Sequence, residues 1–302
     1  MRANLDPHLT FAHGGRADFK GEDNTWYAML SARNVTLNML FVRDDFRNRY
    51  RLVHGSAMKS AAWVIRTNRT GTIVTIEYNA SATTGTRAMV RTATEPPRTD
   101  VLRHGSKPWR LENVRIELRE RKLEGSAKRT SHGIALVVLV EDRWVLSVWS
   151  QPYPNAVANP GKALLNTQVE ALYDADADIV APHGLVGQSY DGDDAPLNGK
   201  LDDYSGAEVT TTAQAEGAIE GVAADYRMRH KFATRFKYSR FDATIAKHRN
   251  VGAILDGQTL PTEANVTTPA RSVSAVADLD ESDNEAGRDA SMPDRTRRRR
   301  AA

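Results

Sequence analysis

Hydrophobic positions along this chain recur mostly with the period of β-strands. Apolar and β-branched residues alternate with polar ones, or form short apolar runs, between turn-forming residues. The segments with this pattern are 36–42, 72–78, 109–118, 133–140, 143–150, 166–173 and 183–190. Only Glu141 and Asp142 separate two of them, which predicts a hairpin. We expect about eight strands in an all-β fold, a two-sheet β-sandwich.

Two segments near the C-terminal third follow different patterns. Residues 212–228 are rich in alanine and glutamate, with apolar residues near helical spacing, and predict one short helical segment. Gly217 and Gly221 lie inside that segment, and each costs a helix about 1 kcal/mol relative to alanine. Residues 235–241 alternate aromatic and basic side chains, which predicts a closing edge strand.

The composition changes near residue 257. Beyond it the chain consists mainly of Thr, Pro, Ala, Asp and Arg, with few large apolar side chains to offset the entropy of ordering. We therefore predict two parts, a β domain at 1–256 and a disordered C-terminal tail at 257–302. The basic run Arg297–Arg300 has no nucleic-acid-binding module upstream, so we predict no nucleic-acid partner.

The composition excludes several classes of protein. The 302 residues include no cysteine, so disulfides, thiolate metal sites and cysteine nucleophiles are ruled out. No apolar run approaches the roughly 20 residues of a membrane helix, so no membrane-spanning segment is predicted. The first five residues lack the apolar core of a signal peptide. We expect either an intracellular protein or a sequence that begins downstream of the natural start.

Charge is strongly segregated along the chain, although the net charge is only +3. Residues 1–150 carry 24 Lys and Arg against 15 Asp and Glu, a net of +9. Residues 170–226 carry 13 acidic residues against the single base Lys200, a net of −12. This asymmetry predicts either attraction between the two regions or cation binding in the acidic one.

The most acidic turn follows a glycine-containing motif, His183-Gly-Leu-Val-Gly-Gln188. Asp191, Asp193 and Asp194 lie within four residues of one another, and Asp202 and Asp203 follow. Oxygen ligands on a glycine-containing turn suit calcium better than zinc. A solvated acidic loop is the alternative. An EF-hand is excluded, because a loop starting at Asp191 has Pro196 at its glycine position.

Two separated motifs together resemble the von Willebrand factor type D domain. The first is Asp6-Pro7-His8-Leu-Thr-Phe, followed by a glycine turn and Asp18-Phe-Lys-Gly21. The second is Gly184-Leu-Val-Gly-Gln-Ser-Tyr-Asp-Gly-Asp193, which is similar to the family's Gly-Leu-Cys-Gly-Asn-Tyr-Asp-Gly pattern. The second motif is also similar to the C-terminal region of inter-alpha-trypsin inhibitor heavy chains and to plant root-cap-type proteins. The resemblance spans about residues 5–241.

The resemblance implies a β-sandwich with a calcium-binding loop and without catalysis. By position, the implied calcium ligands are the side chains of Asp191, Asp193, Asp194, Asn198, Asp202 and Asp203. Val186 stands where the family's motif has a cysteine, which excludes the disulfide-linked multimers of that family.

The leading hypothesis is a non-catalytic, calcium-binding structural or adhesion module. It would lie outside the cell or on its surface, with a protein or glycan partner in the matrix or cell coat. One alternative is a carbohydrate-binding module that uses a tryptophan face made of Trp63, Trp109, Trp144 and Trp149, although their strand positions favour burial. Another is a metal-dependent hydrolase that uses the carboxylates between Asp191 and Asp203.

Overall fold

A computed structural model describes residues 1–4, 7–48, 50–81, 87–123, 131–153 and 157–244. These residues form sixteen β-strands and three short 3-10 turns, and the described part of the chain contains no α-helix. The 3-10 turns lie at Ala12–Gly14, Gly187–Ser189 and Ala223–Tyr226. In chain order the strands are β1 Arg2–Asn4, β2 His8–Thr10, β3 Arg16–Asp18, β4 Thr25–Ala32, β5 Val35–Asn48, β6 Arg51–Arg66, β7 Ile73–Asn79, β8 Arg87–Thr92, β9 Arg98–Arg103, β10 Trp109–Leu111, β11 Val114–Leu123, β12 Ser131–Val140, β13 Trp144–Pro152, β14 Ala163–Ala171, β15 Glu208–Thr210 and β16 Arg227–Met228.

The first sheet joins the N-terminal strands to the middle of the chain. Its order is β10-β11-β12-β13-β14-β1-β2-β3, and all neighbouring strands are antiparallel. Strands β10 to β14 follow one another as a meander. Arg2 of β1 lies opposite Gln168 of β14, so the opening strands extend this meander at its β14 side.

The second sheet is built mainly from the residues that lie between the N-terminal strands and the middle of the chain. Its order is β16-β4-β5-β6-β7-β8-β9, and these neighbours are antiparallel. The short strand β15 pairs in parallel with β6, where Val209 lies opposite Val53. The chain therefore starts in the first sheet, builds the second from β4 to β9, and returns to the first at β10.

The two sheets form a β-sandwich around one main apolar core. Trp63 of the second sheet and Trp144 of the first are both fully buried in it. The hydroxyl of Tyr78, on β7, donates a hydrogen bond of 2.7 Å to the carbonyl oxygen of Ile134, on β12, and so joins the sheets directly. The all-β sandwich expected from the sequence is confirmed.

The predicted helix over residues 212–228 is wrong. That segment contains an isolated bridge at Gln214, turns and bends, the 3-10 turn Ala223–Tyr226 and the two-residue strand β16. Ala215, Gly217 and Gly221 have φ angles of 59°, 89° and 67°, which lie in the left-handed region. Three such residues within seven positions interrupt any right-handed helix.

Three strand predictions also need correction. Residues 183–190 form only an isolated bridge between His183 and Ser31 and then a 3-10 turn. Residues 235–241 form turns rather than an edge strand. The single strand expected at 109–118 is two strands, because Glu112 adopts a φ of 49° in the turn between β10 and β11.

The described residues all fall within one unit, Met1–Ala270. The predicted boundary at residue 256 and the predicted tail at 257–302 lie outside the described residues. Among the residues that the structure describes, no helix is long and apolar enough to cross a membrane.

Candidate functional site

The glycine-containing motif lies along strand β4, where backbone hydrogen bonds hold it. His183 exchanges two bonds with Ser31, at 2.6 and 2.8 Å between nitrogen and oxygen. The N–H groups of Leu185 and Val186 then donate to the carbonyl oxygens of Ala28 and Met29, at 2.8 and 3.0 Å. This part of the motif is therefore bound to β4 although it forms no strand itself.

The two glycines of the motif pack closely against β4, and at Gly184 the neighbouring atoms belong to the backbone. Gly184 has a φ of 105°, and a Cβ there would stand 2.6 Å from the carbonyl oxygen of Met29. A Cβ at Gly187 would stand 2.8 Å from the side chain of Leu30. Such distances are shorter than the contacts of roughly 3.5 Å or more that a carbon atom makes with non-bonded neighbours. Glycine at position 184 of the motif thus has a structural cause.

The polar side chains of the motif connect it to the segment around residues 220–238. Gln188 is buried, and its Oε1 accepts hydrogen bonds from the Glu220 N–H and the Tyr226 hydroxyl, at 2.8 and 2.9 Å. Burial raises the pKa of Tyr226, so its hydroxyl keeps the proton that it donates. The motif therefore links β4 to the C-terminal part of the described chain.

His183, in its neutral form, makes a second link between the motif and the segment around residues 220–238. Its Nδ1 accepts the Gly184 N–H at 2.9 Å, which places the ring proton on Nε2, 3.1 Å from the Glu220 Oε2 atom. The ring stacks on Tyr238 with 4.6 Å between ring centroids. Burial lowers the pKa of His183, since the surroundings disfavour the charged ring.

The acidic turn that follows the motif lies beside a histidine from the N-terminal region. The Nδ1 atom of His13 is 3.8 Å from Asp194 Oδ1, and its Nε2 atom is 3.3 Å from Asp176 Oδ2. The other oxygen of Asp176 accepts the Gly192 N–H at 3.4 Å. We call His13, Asp176 and the turn 191–194 the acidic corner. Neither His13 nor Asp176 was recognised from the sequence as a neighbour of the turn, because no local pattern joins them to it.

Within the acidic corner the carboxylates of the turn face solvent. Asp191, Asp193 and Asp194 are all exposed. Asp193 Oδ1 accepts the Ala195 N–H at 2.7 Å, which shapes the turn locally. Exposed carboxylate oxygens of this kind can bind a hard cation without a large desolvation penalty.

The remaining predicted ligands have partners elsewhere. Asn198 Oδ1 accepts the Arg16 N–H, and Asp202 Oδ1 accepts the N–H groups of Thr212 and Ala213. Asp203 accepts hydrogen bonds from the Ser205 N–H and hydroxyl, which lower its pKa. In the described part of the chain, no three His, Asp or Glu side chains are grouped closely enough to hold a metal ion. The six predicted ligands are thus not gathered around one point.

The histidine of the opening motif belongs to a structural network. His8 Nδ1 lies 2.6 Å from Oδ1 of the buried Asp18, whose Oδ2 accepts the Asp202 N–H at 2.8 Å. The Asp18 backbone also bonds to Lys200 and Ala215. Asp18 therefore fastens β3 to two later segments. Asp6, the first residue of the motif, lies outside the described residues.

The tryptophans do not form an exposed platform. Trp63, Trp144 and Trp149 are buried, with exposed fractions of 0%, 0% and 4%. Trp109 is partly buried, and its indole N–H donates to Asp100 Oδ2 at 2.8 Å. These positions match the core burial that their place in strands predicted.

Comparison with known proteins leaves the resemblance as it stood. No protein-family model matches the chain, and no curated protein or solved structure matches it. The similarity to type D domains therefore stays a prediction that rests on the two sequence motifs.

Proposed function

We propose that this chain is a non-catalytic β-sandwich module of the cell exterior, stabilised by calcium at the acidic corner, that serves adhesion or matrix assembly. The observation that carries the proposal is the meeting of Asp176 with the turn 191–194. The carboxylates of Asp176 and Asp194, from two separate segments, lie near the two nitrogen atoms of one ring, that of His13. Calcium accepts such exposed oxygen ligands in flexible geometry.

Calcium binding at this corner has a physical consequence for the fold. The turn follows directly after the motif that is held on β4, and Asp176 follows β14 of the first sheet. An ion held by both would tie the motif to the end of that strand. The described side chains do not form a complete ligand set, so the exposed turn would have to close on Asp176 for the ion to bind.

The geometry favours a structural role over the two alternatives. Asp202 and Asp203, which a hydrolase would use, accept hydrogen bonds from the backbone of their own surroundings. The tryptophan face of a carbohydrate-binding module would need Trp63 and Trp144, which are buried. The buried polar groups Asp18 and Gln188 connect segments of the fold.

The test is thermal unfolding of the full chain with calcium and with a chelator. A ligand that binds only the native state stabilises it by about 2.7 kcal/mol at a hundredfold excess over Kd. We expect millimolar calcium to raise the Tm and magnesium to raise it less, since magnesium demands stricter octahedral geometry. Asp176→Asn and Asp194→Asn should each reduce the rise.

Asp203→Asn is the matched control, because it removes one carboxylate whose partners lie outside the corner. It should leave the calcium-induced rise in Tm unchanged. The proposal would be overturned by an unchanged Tm at millimolar calcium, or by a rise that persists in the Asp176→Asn and Asp194→Asn variants.

A further inference from the structure

Residues 227–241 form a basic and aromatic segment that the sandwich and the acidic corner leave unexplained. They include six Lys and Arg residues and no Asp or Glu, with phenylalanine and tyrosine side chains between the cations. The segment begins as strand β16, where Arg227 lies opposite Tyr27 of β4. We call residues 227–241 the basic segment.

The basic segment is fixed against the second sheet by specific contacts. The side-chain amide of Asn38, on β5, donates to the carbonyl oxygens of Lys231 and Ala233, at 2.9 and 2.8 Å. The Lys231 ammonium lies 2.7 Å from the Glu77 carboxylate on β7. Because backbone and side chain are both held, the surface of this segment is pre-organised for binding.

The basic segment lines an open groove of about 650 Å³. Its walls combine cationic and aromatic side chains, and the residues that line it are Arg227, Arg229, His230, Phe232, Ala233, Thr234, Arg235 and Phe236. Phe232 and Phe236 are partly buried and both line the groove, and the Lys231 ammonium lies over the Phe232 ring, 5.2 Å from its centroid. A concave surface with aromatic faces and nearby cations is chemically suited to a ligand with apolar faces and anionic groups.

Five of the six cations of the segment fall into two groups, and the sixth, Arg240, is partly buried and donates to the carbonyl oxygen of Tyr238 at 3.3 Å. Arg227 pairs with Glu22, Lys231 with Glu77, and Lys237 with Asp225, so these three serve the fold. Arg229 is exposed, and the Arg235 side chain is 89% exposed, with its nearest carboxylate oxygen 3.9 Å away on Asp242. The guanidinium groups of Arg229 and Arg235 are therefore open to an anion from solution.

We propose that this groove binds an anionic polysaccharide, with Arg229 and Arg235 pairing its sulfate or carboxylate groups and Phe232 packing on a sugar ring. Guanidinium groups bind planar or tetrahedral oxyanions through two parallel hydrogen bonds. The C–H face of a pyranose ring is apolar and packs well against a phenyl face.

The carboxylates around the groove argue against a nucleic acid. Glu22, Glu77 and Asp225 flank the basic segment through their pairs with Arg227, Lys231 and Lys237, and Asp242 Oδ2 lies 3.9 Å from the Arg235 Nε atom. A duplex carries about one negative charge per 1.7 Å along its axis, so a bound duplex would meet these carboxylates as well as the two arginines. A polysaccharide with one anionic group per sugar ring carries fewer charges per unit length than a duplex, and it also offers the apolar ring face that Phe232 can contact.

This inference rests on the proposed extracellular role for the choice of a polysaccharide, but it uses a different surface from the acidic corner. Binding is therefore measured with the full chain in chelator, so that a failure to bind calcium leaves the result unaffected. The probes are fluorescently labelled heparin for sulfates, polygalacturonate for carboxylates, uncharged dextran, and a single-stranded oligodeoxynucleotide. We expect one or both polyanions to bind in the chain's native state and dextran to bind far more weakly.

Two double variants, each lacking two arginines, distinguish binding at the groove from nonspecific electrostatic attraction between the polyanion and the protein. Arg229→Ala with Arg235→Ala should weaken polysaccharide binding about tenfold, the sum expected for two exposed ion pairs. Arg87→Ala with Arg103→Ala removes two exposed arginines that face each other across β8 and β9, and should change Kd by less than about twofold. Far-UV circular dichroism checks that both variants fold.

Three results would overturn the proposal. The first is that neither polyanion binds, and the second is that the two double variants weaken binding equally. The third is that the oligodeoxynucleotide binds more tightly than both polysaccharides and loses affinity when Arg229 and Arg235 are replaced, which would assign the groove to nucleic acid. A further confirming result is that Phe232→Ala weakens polysaccharide binding at high salt, where ion pairs are screened.

Discussion

Gly184 lies so close to Met29 that a Cβ at residue 184 would stand 2.6 Å from the Met29 carbonyl oxygen. That same stretch of β4 receives the N–H groups of Leu185 and Val186. The contact explains why glycine occupies this position and why the motif forms no regular strand, since its φ of 105° is closed to most residues.

Gly184→Ala should lower the free energy of unfolding by about 3 kcal/mol or more, because it adds a backbone clash to left-handed strain. Gly192→Ala is the matched control: Gly192 has a φ of 95°, but its nearest atom, the Asp176 carbonyl oxygen, would be 3.7 Å from the new Cβ. That variant should lose only about 1–2 kcal/mol. Chemical denaturation measures both, and equal losses would contradict the packing argument.

The next prediction concerns Asp44, a buried carboxylate on β5. Asp44 accepts hydrogen bonds from Lys59 at 2.5 Å, Lys162 at 2.7 Å and the Tyr153 hydroxyl at 2.7 Å. Burial alone would raise the pKa of Asp44, but these three donors outweigh it and the pKa lies below its usual value. The carboxylate thus joins β5 to β6 and to residues on both sides of the β13–β14 connection.

Asp44→Asn should lower the free energy of unfolding by about 2–3 kcal/mol, because it leaves two ammonium groups without their counterion. The neighbouring Asp45 pairs with His54 at 3.0 Å and is 55% exposed, so Asp45→Asn should cost less than about 1 kcal/mol. Urea denaturation at neutral pH measures the free energy of unfolding of both variants. Similar losses would show that the burial of Asp44 adds nothing.

The buried His183 predicts a dependence of stability on pH. Its folded pKa lies below the ordinary 6.5, so the unfolded chain binds the proton more readily. The contribution of neutral His183 to stability is complete above pH 6.5 and is lost as the pH falls from 6.5 toward the folded pKa. His183→Gln should remove this part of the slope, while the other histidines contribute equally to both proteins. If the free energy of unfolding of the parent and of His183→Gln changed equally with pH between pH 6.5 and 5, the prediction would be wrong.

Much of the fold followed from the period of its apolar residues. The hairpin expected around Glu141 and Asp142 is formed by β12 and β13, and the apolar run before it became a central strand of the first sheet. Such strands can be predicted from the sequence because every second residue faces the core and is therefore apolar. The 212–228 segment misled because its alanines suit a helix, whereas Ala215, Gly217 and Gly221 adopt left-handed conformations that composition does not reveal.

The candidate site was harder to predict from the sequence than the strands were. The acidic turn was visible as a local run, but the contacts of His13 and Asp176 with it arise only in the folded chain. Asp202 lay in the same run, yet its oxygen accepts the backbone N–H groups of Thr212 and Ala213. Proximity in sequence therefore grouped Asp202 with the acidic turn, although its Oδ1 atom binds other backbone groups, and gave no sign of the contacts of His13 and Asp176.

The last prediction concerns Asn38, whose amide holds the backbone of the basic segment at Lys231 and Ala233. Asn38→Ala removes both hydrogen bonds and leaves two carbonyl groups to find other partners, which lowers the free energy of local opening. Trypsin should then cleave after Arg229, Lys231 or Arg235 about tenfold faster than in the parent, as mass spectrometry of the fragments would show. Asn113→Ala is the control, because it also removes a side-chain bond to a backbone group, the Asn68 N–H, in a different part of the molecule. If both variants are cleaved at equal rates in the basic segment, Asn38 does not hold it in place.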